Sequence, residues 1–170
     1  MKTHTQGAAA LLTMLALLSA VPAQAALKTY SFTGAFDSGA LIGEPFAGQF
    51  SYDDTALTGI DSEYLNVSTL DISFHQRAFT QANAAAATEV AFMDGVFRGL
   101  SFAVTSFDPK FALTPGVVDM SDAYFAYQPN VGTSGYGSVA YTLAPVPEPA
   151  TSLMMLAGLA LLVFRAGTRV

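Results

Sequence analysis

Apolar side chains recur at every second position through the middle of this chain, a period that suits half-buried strands and leaves no continuous stripe for a helix. Tyr30, Phe32, Gly34 and Phe36 alternate with Ser31, Thr33 and Ala35. After the turn residues Asp37-Ser38-Gly39 the pattern returns in Phe46, Gly48, Phe50 and Tyr52. Pro45, directly ahead of the second run, marks a strand start or an edge because it has no N–H to give to a ladder. Tyr64 to Phe74 is again extended, with Leu70, Ile72 and Phe74 on one face.

Val90 and Phe92 open a further strand. Val96 to Phe107 then reads as a strand covered on both sides, with Leu100, Phe102 and Val104 on one face and Phe97, Ala103 and Phe107 on the other. The Ala-rich segment from Gln81 to Ala87 has helix propensity but neither an apolar stripe nor enough length, so it is expected to be a loop with at most one helical turn. Pro109 and Pro115-Gly116 punctuate the next segments. Val117 to Met120, Asp122 to Gln128 and Tyr136 to Leu143 complete eight or nine short strands. The fold class is therefore all-β, and the expected architecture is an antiparallel β-sandwich over residues 26–143, jelly-roll-like or immunoglobulin-like.

Both ends of the chain differ from this middle. Lys2, the apolar core Ala8 to Leu18, the helix-breaking Pro22 and the small-x-small pattern Ala23-Gln24-Ala25 describe a signal peptide over residues 1–25, cleaved ahead of Ala26. At the other end, residues 144–149 form a Pro-rich linker in which Pro147 and Pro149 hold the backbone extended on either side of Glu148. Residues 150–170 then read as a transmembrane helix with a basic tail. The uncharged stretch Ala150 to Phe164 would be about 22 Å long as a helix, short of the ~30 Å of hydrocarbon, so it must thin the bilayer or recruit its neighbours. Arg165 and Arg169 act as the stop on the cytoplasmic side.

Val146-Pro147-Glu148-Pro149-Ala150-Thr151, followed by that apolar run and the two arginines, resembles the PEP-CTERM sorting signal of bacterial exported proteins. The resemblance covers about the last 25 residues. It implies recognition of Pro147, Glu148 and Pro149 by a membrane-embedded exosortase that removes the tail, with delivery to the cell surface or extracellular matrix. Because the family is linked with bacteria that make extracellular polysaccharide, it also implies a place in a biofilm or floc matrix. One departure is the thin basic end, since Arg165 and Arg169 are separated by Ala166-Gly167-Thr168.

Between the two end segments the charge is one-sided. All thirteen acidic residues lie from Asp37 to Glu148, against four basic ones (Lys28, Arg77, Arg98 and Lys110), a net charge of −9. Nucleic acid is excluded as a partner, because phosphate contacts need clustered Lys and Arg. The chain has no cysteine, so thiolate metal sites and a lipid-modified N-terminal cysteine are also excluded.

Few residues in the exported part suggest chemistry. His75, the one histidine beyond the signal peptide, follows a strand and is expected to be a solvated strand end rather than a base. Asp53, Asp54, Asp61 and Glu63 cluster around one loop and could supply oxygen ligands to calcium, although their spacing follows neither the EF-hand loop nor the nonapeptide repeat. Otherwise they form an acidic, solvated turn. Tyr124, Phe125, Tyr127, Tyr136 and Tyr141 could stack sugars on one sheet, but such residues more often fill a core. The expectation is a non-enzymatic surface or matrix protein, structural or adhesive, without a cofactor. A calcium-assisted carbohydrate-binding module and a polysaccharide-active hydrolase are the alternatives.

Overall fold

The computed structural model describes residues 27–145. The signal peptide, with Ala23, Ala25 and Ala26, lies outside the described residues. So do the sorting residues Val146 to Thr151, the expected membrane helix, and Arg165 and Arg169.

Ten strands follow one another: β1 (Lys28–Ala35), β2 (Pro45–Tyr52), β3 (Ser62–Phe74), β4 (Arg77–Thr80), β5 (Glu89–Met93), β6 (Val96–Val104), β7 (Lys110–Thr114), β8 (Tyr124–Gln128), β9 (Gly135–Ser138) and β10 (Ala140–Leu143). Two 3-10 turns, Gln81–Asn83 and Met120–Asp122, interrupt them. Every pairing is antiparallel, and the order across the sheet is β10-β1-β2-β3-β5-β6-β7-β8-β9, with β4 on the free flank of β3. A single residue, Val139, separates β9 from β10. β9 pairs with β8 and β10 pairs with β1, so one kinked strand joins the two ends of the sheet.

The all-β, antiparallel expectation holds, but the arrangement is one nearly barrel-like sheet rather than two stacked sheets. Its strand order is sequential, whereas a jelly roll or an immunoglobulin domain needs Greek-key connections. Bringing the two ends of the sheet together shortens the exposed edges that an open sandwich would have to protect.

Two further differences have local causes. In the β5–β6 pairing Ala91 faces Gly99 while Phe92 faces Phe97, which leaves Arg98 as the extra residue of a β-bulge. The bulge inverts the alternation, so Phe97 joins the core on the same side as Leu100, with its ring 4.3 Å from that of Tyr30 and 5.2 Å from that of Tyr141. Val117 to Met120 is a loop that runs into the Met120–Asp122 3-10 turn, not a strand. The strand in this region is Lys110–Thr114, and Gly116 turns the chain so tightly that a Cβ there would collide with the carbonyl of Asp119.

Phenylalanine fills the interior. Ten of the twelve among the described residues are buried, each contributing about 1.5–3 kcal/mol of transfer free energy. In a chain without cysteine this burial replaces covalent staples. The faces anticipated for β3 and the end of β6 are the buried ones: Leu70, Ile72 and Phe74, and Leu100, Phe102 and Val104. Across β1 and β2 the register sets Phe32 opposite Gly48 and Phe46 opposite Gly34, so each ring lies over a glycine that leaves space for it.

Candidate functional site

The described chain leaves the barrel through β10. Leu143 is paired with Tyr30, and the N–H of Ala144 donates to the carbonyl of Thr29 at 2.8 Å. Both ends of the described chain therefore emerge at the same end of the barrel. Antiparallel order places three connections at that end: 53–61 between β2 and β3, the Asp94-Gly95 turn between β5 and β6, and 115–123 between β7 and β8. The last of these sits beside the exit, where the N–H of Val139 donates to the carbonyl of Ala123 at 3.2 Å.

Carboxylates shape these connections. Glu63 accepts from the N–H and hydroxyl of Thr58, both at 2.8 Å, from Gly59 N–H at 2.7 Å and from Ile60 N–H at 3.3 Å. The Thr58 N–H, helped by the other donors, holds its carboxyl below the usual range. Asp53 accepts from Thr55 N–H at 2.9 Å and is likewise lowered. Asp54 pairs with Lys28 at 3.7 Å. Asp61 takes a left-handed backbone (φ 57°), and its N–H donates to Asp94 at 3.0 Å. The four calcium candidates therefore lie in or beside one loop, but three of their carboxylates are engaged by separate partners. Among the described residues no group of three or more acidic or histidine side chains converges on one point. In the third connection Asp122 accepts from Val118 N–H at 3.0 Å. Asp119 accepts from Ser121 N–H at 2.7 Å, and the Ser121 hydroxyl and N–H lower its carboxyl.

His75 occupies the β3–β4 turn in the left-handed region (φ 49°), exposed, with Nδ1 3.0 Å from a Glu44 oxygen. The five aromatic residues considered for sugar stacking divide between the two faces of the sheet. Phe125 and Tyr127 are buried, and Tyr127 ties down the β1–β2 loop, accepting from Leu41 N–H at 2.6 Å and donating to the Ser38 carbonyl at 3.2 Å. The Tyr141 ring packs against the core, and its hydroxyl accepts from Leu100 N–H at 3.1 Å. Burial pushes its phenol up to about 12. Only Tyr124 and Tyr136 face outward, as a diagonal pair on β8 and β9. On the opposite wall a shallow, open depression of about 350 Å³ is lined by Ala47, Gln49, Asp71, Ser73 and Ala78.

Sequence reasoning missed the aliphatic tips that these capped connections present, Ile60 and Val117-Val118. Their signal was available, since Pro115-Gly116 ahead of Val117 and two aspartates behind Val118 describe a turn better than a strand.

No helix among the described residues is long and apolar enough to cross a membrane. The family model of the PEP-CTERM protein-sorting motif matches residues 145–169, beginning one residue after the Ala144 hydrogen bond that ends the barrel. No curated protein and no solved structure matches the chain.

Proposed function

We propose that this chain, whose PEP-CTERM motif begins where β10 ends, is an exported barrel domain sorted through its C-terminal tail by an exosortase-type enzyme. The single observation that carries this reading is the motif match at residues 145–169. The signal peptide of residues 1–25 takes the chain across the inner membrane, and the apolar stretch from Ala150 to Phe164 anchors it there until the tail is cut. Pro147, Glu148 and Pro149 are the recognised residues. β10 is paired along its length with β1, so the anchor pulls on a hydrogen-bonded strand rather than on a loose end.

After processing, the domain serves as a structural or adhesive, non-catalytic component at the cell surface or in the matrix, associated with extracellular polysaccharide. Its outer wall supports this. Thr142, Ser31, Gln49, Asp71 and Thr80 lie in register across five strands, all exposed, offering a row of hydrogen-bonding groups with one charge among them. A second reading, a carbohydrate-binding module, is favoured by the outward Tyr124 and Tyr136 pair, since exposed aromatic faces are surfaces on which sugar rings stack.

The test is the intact mass of the protein recovered from the cell surface. The expected product begins at Ala26 and has lost the apolar tail, and replacing Pro147 and Glu148 with alanine should leave the tail uncut. Recovery of a surface product that retains Val170 would refute the sorting reading.

A further inference from the structure

The exposed aliphatic side chains are distributed unequally over the barrel. Of ten large non-aromatic apolar side chains exposed among the described residues, eight lie at the end where the chain exits, including Ile60, Val96, Val117, Val118, Met120 and Leu143. The loops at the opposite end expose two, Ile42 and Val131. The tips at the exit end are displayed by built loops. Val117 is 87 % and Val118 72 % exposed, in a connection pinned by the Asp119 and Asp122 carboxylates, and Ile60 is 67 % exposed on the loop that Glu63 caps. Solvated aliphatic residues on pinned loops cost hydration free energy unless something covers them.

The length of chain beyond the exit indicates what covers them. Leu143 is seven residues from Ala150, where the apolar stretch begins, and seven residues reach at most about 25 Å. On the anchored reading of the tail, on which this inference rests, the exit end is held that close to the bilayer at an effective concentration of about millimolar.

We propose that this end of the barrel docks on the bilayer surface while the tail is intact, with Val117, Val118, Met120 and Ile60 entering the interfacial region. The carboxylates around them, Asp53, Asp61, Glu63, Asp94, Asp119 and Asp122, make the surface one for zwitterionic lipid and oppose anionic lipid. Docking places the Pro-Glu-Pro segment at the membrane, where the processing enzyme works. It also depends on the tether, because a few aliphatic tips on a net-negative domain do not hold it once the tail is cut. Cleavage therefore both severs the anchor and undocks the domain.

The chain contains no tryptophan, so Val118→Trp and Val131→Trp each create a single reporter, one at either end of the barrel. Each full-length variant is reconstituted in phosphatidylcholine vesicles with and without brominated acyl chains, and flotation confirms incorporation. Brominated lipid is expected to reduce Val118→Trp emission by about twofold or more and to leave Val131→Trp unchanged. Adding phosphatidylglycerol, or a Gly/Ser insert after Ala144, should weaken the quenching. Val117→Trp serves as a second reporter if Val118→Trp misfolds. Vesicles that float the chain without quenching at either reporter of the exit end overturn the docking while leaving the anchor in place. Failure to float removes the anchor, and the docking with it. Protection of Val118→Trp that appears only at high protein density, or only with the processing enzyme present, overturns the lipid surface in favour of a second copy or of the enzyme.

Discussion

Replacing Tyr141 with phenylalanine should destabilise the barrel at neutral pH and, at the same time, make it less sensitive to alkali. The β6–β7 pairing covers only Phe102–Val104, so Leu100, fully buried, has no β7 partner, and its N–H is satisfied by the Tyr141 hydroxyl at 3.1 Å. Removing that oxygen leaves a buried donor unpaired, at a cost of about 1–3 kcal/mol. The ring contacts with Phe97 at 5.2 Å and Phe32 at 5.9 Å survive in phenylalanine. The pH effect has the opposite sign. Burial raises the Tyr141 phenol from 10.0 to about 12, so between these values the native state keeps a proton that the unfolded chain has released. The resulting stability is fully present below about pH 10 and declines through pH 12, by roughly 2–3 kcal/mol in all. Phenylalanine has no proton to lose, so the two stability curves should converge as pH rises. Urea unfolding followed by circular dichroism at pH 8 and at about pH 11 measures both limbs, and tyrosinate absorbance reports the titration without tryptophan interference. Residual alkaline weakening is expected from Tyr52 and Tyr30, which burial also raises. Equal stabilities at pH 8, or a constant difference at both pH values, would show that the hydroxyl neither satisfies Leu100 nor is shielded from water.

Three other outcomes are expected. Gly48→Ala places a methyl group against the Phe32 ring and should lower stability by about 1–3 kcal/mol, read from the thermal midpoint, whereas Gly43→Ala, which meets no neighbour but loses a left-handed glycine, tests backbone strain alone. Glu63→Gln should speed hydrogen exchange at the Thr58, Gly59 and Ile60 amides. In the unmodified chain the same loosening should appear as pH falls through the depressed Glu63 titration, because the ionised carboxylate is the form these donors favour. Chelating calcium should leave the thermal midpoint unchanged, since Asp53, Asp54 and Glu63 are engaged within their own loop and with Lys28; a drop of several degrees would point to a site assembled in another way.

Much of the strand content was legible because alternation is a local property. Phe46 and Phe50 on β2, Leu70, Ile72 and Phe74 on β3, and Leu100, Phe102 and Val104 on β6 are read correctly from two-residue spacing, and they are buried. Phe97 falls on the wrong face in that reading because spacing cannot show a bulge, and one inserted residue, Arg98, reverses every parity on its far side. Val117-Val118 misled for a different reason. β-branched residues favour strands on average, but here Gly116 and two aspartate caps decide the backbone, and the valines are left in solvent. The carboxylate cluster was visible in the sequence, whereas its use as a set of loop caps depends on which backbone N–H groups the fold turns toward it.

The class of secondary structure, the aromatic interior and the sorting motif near the C-terminus are each written in neighbouring residues and need no distant partner. That the sheet closes on itself is visible only in the folded chain. Closure depends on the Ala144–Thr29 hydrogen bond and the Tyr30–Leu143 register, contacts between opposite ends of the domain that accumulated strand twist brings together. That closure is also why the tail leaves beside Val117 and Val118, for a strand shared between β8 and β1 can end only at the rim where those loops turn.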